Sequence, residues 1–143
     1  MIKTFYNSYF KNLGEANIDF SSDTIKVALL SSSYTPNFDT HENFDDLTNE
    51  VSGTGYTAGG KEITTKSFSQ DNANDKAVFD GDDVSWTGST ITARYAVIYK
   101  DTGTPSTSPL IELLDFEADE ESDSGTFKIE WNADGILDIK QSA

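Results

Sequence analysis

Residues 2–13 repeat apolar side chains with the period of an α-helix. Ile2, Phe5, Tyr6, Tyr9, Phe10 and Leu13 fall three or four positions apart and share one stripe of a helical surface. Gly14 follows, where a left-handed C-terminal cap belongs. The pattern predicts an N-terminal amphipathic helix over 1–14. A free helix this short is marginal in water, whereas burying six such side chains is worth on the order of 10 kcal/mol gross. The stripe therefore has to dock, either on the chain's own core or on a neighbour.

After Gly14 the period drops to two. Ile25, Val27 and Leu29 alternate with Lys26, Ala28 and Leu30. Ile91, Ala93, Tyr95, Val97 and Tyr99 alternate with Thr92, Arg94, Ala96 and Ile98, and Phe127, Ile129 and Trp131 with Thr126, Lys128 and Glu130. Shorter strands are expected at 62–68, 76–80, 83–87 and 136–140. Residues 110–116, LIELLDF, are apolar on both faces apart from Glu112 and Asp115, as in a central strand. Asp80-Gly81 and Thr87-Gly88 mark turns, and Asn132-Ala133-Asp134-Gly135 reads as a tight hairpin between two strands. Residues 101–109 and the acidic stretch 118–125 read as loops. Residues 32–60 form one long irregular loop, and connections of that length are usually functional or interfacial. The expected fold is mainly β: an antiparallel β-sandwich or β-barrel of about eight strands, with a single β-domain over 15–143 following the helix.

Composition narrows the function. The 143 residues, 36% apolar and 12% aromatic, suffice for one core. Acidic residues number 25 against 10 basic, a net charge of −15 that repels nucleic-acid phosphates and anionic membrane surfaces. Neither nucleic acid nor membrane is expected as a partner. The absence of cysteine excludes disulfides and sulfur-ligated zinc. The longest apolar run, Tyr95 to Tyr99, is far short of a membrane span. Polar Asn7, Ser8, Lys11 and Asn12 interrupt any signal-peptide core, so a soluble chain without an export signal is expected.

Four motifs invite chemistry. GYTAGGK at 55–61 has phosphate-loop spacing, but Glu62 stands where a magnesium-holding hydroxyl is needed and Ile63-Thr64-Thr65 is strand-like. The overlapping GTGYTA lacks the strand-turn-helix context of a dinucleotide site. Asp119, Glu121, Asp123 and Glu130 count as positions 1, 3, 5 and 12 of a calcium loop, but Ser124 replaces the glycine required at position 6. A glycine-rich turn and a solvated acidic loop are the simpler readings. His41, in the polar run Asp39-Thr40-His41-Glu42, reads as an exposed loop histidine. Carboxylate pairs are unavoidable among 25 acids, and none is singled out by its surroundings. No catalytic, cofactor-binding or metal-binding residue is assigned, no cofactor is expected, and the chain is not expected to be an enzyme.

Three stretches point further: IKVALLSSSYTP at 25–36, DTHENFDDLTNEVSGTGYTAGG at 39–60 and ARYAVIYK at 93–100. Together they resemble the capsid decoration (cement) proteins of tailed bacteriophages, over most of the chain. The resemblance implies a virion structural protein that trimerises on the capsid exterior and clamps neighbouring major capsid proteins. It would pass through the host cytoplasm during assembly. On that reading the aromatic and apolar residues Ile2, Phe5, Tyr6, Tyr9, Phe10, Tyr34, Phe38, Phe44 and Tyr56 are the expected subunit or capsid contacts, aromatics being favoured interface anchors. The alternative is a carbohydrate- or receptor-binding β-module of a phage fibre or tail. It would need aromatics such as Trp86 and Trp131 exposed in a row, although their positions beside Val84, Phe127 and Ile129 favour the core.

Overall fold

In the computed structural model, which describes residues 1–141, strands account for 48% of the chain and helix for 10%. Eight strands form two antiparallel sheets, as the period-two segments require. They are β1 (Ile2–Phe5), β2 (Ile25–Leu30), β3 (Lys61–Glu62), β4 (Ser67–Asp71), β5 (Lys76–Asp80), β6 (Val84–Lys100), β7 (Leu110–Ile129) and β8 (Leu137–Lys140). A five-stranded sheet has the order β1-β7-β6-β2-β3, and a three-stranded sheet the order β4-β5-β8. One helix, α1, spans Asn7–Gly14.

The N-terminal segment is therefore strand then helix, rather than helix throughout 1–14. Residues 2–5 pair with 112–115 of β7, and Tyr6, with ψ 141, is still extended when α1 begins. Over so few residues, apolar positions at Ile2 and Phe5 fit both periods, and the free edge of β7 decides between them. Residues 142–143, the end of the expected 15–143 domain, lie outside the described residues.

Three other expectations change. The acidic stretch 118–125 belongs to β7 and pairs with β6 rather than forming a loop. Ala93 pairs with Glu120 but Tyr95 with Asp115, so a single β6 residue, Arg94, faces four of β7. A second bulge absorbs Thr87-Gly88, where a turn was expected. The Asn132–Gly135 turn does form, with Gly135 at φ 113, but it carries the chain from the large sheet into the small one. It does not join two paired strands.

The large sheet is buried on both faces at its centre, which is why every residue of β2 but half-buried Lys26 is buried and 110–114 is apolar almost throughout. One face packs Val27, Leu29, Ile98 and Leu114 against Phe79 and Leu137 of the small sheet and Tyr9 of α1. The opposite face holds Leu30, Val97, Tyr99 and Leu113, covered by Tyr34, Phe38, Phe44 and Leu47 of the long irregular segment. That segment is a third layer made without regular structure. The chain's largest loop is spent on closing its own core.

Candidate functional site

The residues expected at contacts divide sharply. Tyr6, Tyr9 and Tyr34 are at most 2% exposed and belong to the chain's own core. The Tyr6 and Tyr34 hydroxyls lie 3.1 Å apart, and Tyr34 Oη reaches His41 Nδ1 at 2.7 Å. Burial raises the pKa of both phenols, so this chain of three groups is held as neutral hydroxyls beside an imidazole. His41 is thus a half-buried partner of Tyr34, and not the exposed loop histidine expected from its polar neighbours.

Phe38 packs on Tyr6 with ring centroids 5.2 Å apart, and Phe44 stacks on Tyr99 at 4.5 Å. Tyr56 donates to Glu50 Oε2 at 2.5 Å, accepts from the Leu29 N–H at 3.1 Å, and leans on Trp86. Phe5 stacks on Tyr9 at 5.0 Å. All four are half-buried against the core. Of the nine, Ile2 at 54% and Phe10 at 58% are exposed. The helical stripe and the loop aromatics were sound markers of burial, and the neighbour that buries most of them is the chain itself.

Phe10 is not isolated. It lies 5.7 Å from Phe5 and 5.5 Å from Tyr9, which meets Phe20 at 6.3 Å, and Phe20 stacks on Phe68 at 5.5 Å. This ladder begins and ends at exposed rings, Phe10 on α1 and Phe68 on the edge strand β4. Each protruding ring is braced by packed neighbours, so it presents apolar surface at little entropic cost on contact. Phe68 was legible as a strand residue, but nothing in the sequence marked it as exposed.

The glycine-rich segment 53–60 is held backbone to backbone. A Cβ on Gly60, at φ +78, would overlap the Val27 carbonyl oxygen, and one on Gly53 would overlap that of Thr90. Lys61 Nζ donates to the Ser85 carbonyl at 2.6 Å. The ammonium that a phosphate loop would aim at a ligand is engaged with β6, and a short strand follows it. The glycines serve close approach of the chain to itself.

Sequence reading passed over Glu112. It is 2% exposed on β7, its Oε1 and the buried Tyr9 hydroxyl both lack a hydrogen-bond partner, and burial pushes its pKa up to about 7. The carboxyl lines a cavity of about 320 Å³ where the two sheets meet, with Lys3, Lys76 and Asp138 around it. Lys3 lowers and Asp138 raises its pKa, but Lys3 Nζ is bonded to the Ile136 carbonyl and Lys76 to Asp138. The signal available beforehand was an acid inside the apolar run LIELL; that Glu112 forms no ion pair among the described residues is a property of the packing.

Among the described residues, no three Asp, Glu or His side chains converge as a metal site requires. No helix is long and apolar enough to cross a membrane. Trp86 is buried, and Trp131 is half-buried with its indole N–H donating to the Asp82 carbonyl at 2.9 Å. No protein-family model, curated protein or solved structure matches the chain.

Proposed function

We propose that this chain is a virion structural protein that binds the exterior of a tailed-phage head as a homotrimer and clamps major capsid proteins. What supports the reading is where the three resembling stretches lie. Residues 25–30 pair with 95–100 as neighbouring strands, and the segment between them closes over that pair through Phe44 on Tyr99 and Tyr56 on Leu29. Stretches separated in sequence thus form one structural unit. The acidic surface suits a position away from packaged nucleic acid. Phe10 and Ile2 are the contact groups that remain available, and a closed trimer multiplies weak contacts into firm attachment. The sugar-binding alternative requires an exposed row of Trp or Tyr rings, which the described residues do not present.

The test is sedimentation of the protein alone and with purified heads. A trimer that cosediments with heads, and a Phe10→Ser variant that folds normally but binds heads at least tenfold more weakly, are expected. A monomer that fails to bind heads at any salt concentration overturns the proposal.

A further inference from the structure

The long ribbon of β6 and β7 has two outer edges beyond the five-stranded core, and they are treated differently. The β6 edge is covered by the glycine-rich segment, with the Thr90 N–H donating to the Thr54 carbonyl and Lys61 reaching Ser85. Among the described residues, the β7 edge has no strand beside it after Asp115, where the pairing with β1 stops. Along that open edge lies a groove of about 490 Å³. Its floor is apolar: Phe116, Phe127, Ile129 and Met1. Its rim is acidic, with Glu120, Glu121 and Glu130, and the cations lining it are already paired: Lys128 with Glu130 and Asp83 at 3.0 and 3.3 Å, and the Met1 ammonium with Glu117 at 2.7 Å. Glu120 and Glu121 are exposed and make no ion pair among the described residues.

We propose that this groove binds a short extended segment of a partner protein that carries an apolar side chain flanked by lysine or arginine. The apolar residue seats on Phe116 and Phe127, and the cations meet Glu120, Glu121 and Glu130. A second copy of this chain is the wrong occupant on two counts. Each copy brings a net charge of −15 and the same acids to the contact. The bulges around 116–119 and 123–124, with Glu117 and Ser124 at positive φ, break the edge into pieces too short for edge-to-edge pairing. What is left is a site for a few residues of opposite charge. The inference holds independently of the virion reading, since it needs neither a trimer nor a capsid.

The experiment uses three fluorescein-labelled ten-residue peptides with the full-length protein at 0.15 M salt: lysines alternating with leucine and valine, the same with glutamate for lysine, and the same with glycine for the apolar residues. Anisotropy should give binding of the first peptide only. Amide NMR shifts should concentrate at 116–121 and 126–130. E120K/E121K should weaken binding at least tenfold, while D45K/D75K, the same charge change at exposed sites outside the groove, should leave it within twofold. The proposal is overturned if both double variants weaken binding equally, since attraction to net charge then suffices. It is also overturned if the lysine–glycine peptide binds as well, if the shifts map elsewhere, or if no peptide binds at millimolar concentration. Groove signals that broaden with protein concentration alone would assign the groove to a second copy instead.

Discussion

The two faces of the five-stranded sheet are closed by opposite means. On one face, a second sheet and α1 lay Phe79, Leu137 and Tyr9 over the central strands, and ladder bonds satisfy the covering backbone. On the other, residues 31–50 cover the sheet with almost no regular structure, so side chains must do what ladders do elsewhere. Asp46 accepts from the N–H groups of Glu42 and Asn43 at 2.8 and 3.0 Å, and Asn37 from those of Asp39 and Thr40. Glu50 accepts from the Gly59 N–H and the Tyr56 hydroxyl. The polar side chains of this segment, whose length alone marked it as a functional loop, supply its internal fastening. A layer can be irregular and structural at once.

The first fourteen residues serve both faces, through Tyr9 on one and Tyr6 on the other. Deleting residues 1–14 should therefore remove the cooperative thermal transition in near-ultraviolet circular dichroism, rather than leave a folded β-domain. A truncated protein that melts cooperatively would make this segment an accessory to both faces.

Truncations within each layer sharpen the contrast. Phe79→Ala, fully buried and 4.6 Å from Phe20, should cost about 3–5 kcal/mol in urea denaturation. Phe44→Ala, half-buried on Tyr99, should cost about 1–2 kcal/mol. Equal costs would mean the irregular layer is packed as tightly as the regular one.

Glu112 makes the regular face sensitive to pH. Its folded pKa of about 7 lies above the ordinary 4.5, so between these values the native state keeps a proton that the unfolded chain has released. Stability from this group is therefore lost as pH rises through that window, and the full cost is present above pH 7. Glu112→Gln removes the titration. The stability of the variant relative to wild type should rise by about 3 kcal/mol between pH 4 and pH 8. A constant difference across that range would remove Glu112 as the source.

The smallest effect belongs to the irregular face. Tyr34→Phe deletes the hydroxyl between Tyr6 and His41 and should cost about 1 kcal/mol at pH 8, measured by the same denaturation. A cost below the error of the measurement would show that packing alone holds the loop.

Much of the architecture was legible in local pattern. Period-two runs located β2, β5, β8 and both halves of β6, and LIELLDF announced a strand buried on two sides. What stayed hidden depends on partners distant in sequence. Residues 2–5 became a strand because β7 offers an edge there, and 118–125 became one because residues 89–93 pair with it despite its charges. The Asn132–Gly135 turn was readable, but not which sheets it connects. For the site, aromatic content identified groups that need covering without saying what covers them. The groove floor joins Met1 to Phe116, Phe127 and Ile129, an association no local spacing encodes.

The pairing of β1 with β7 also sets a timetable. The N-terminal amine of Met1 meets Glu117, 116 residues later in the chain. At synthesis rates of about 5–20 residues per second, residues 2–5 wait on the order of ten seconds for their strand partner to be made. Throughout that interval β1 lacks the strand it pairs with. Pairing across so long a span is slow to nucleate, so docking of β1 onto β7 belongs among the last steps of folding.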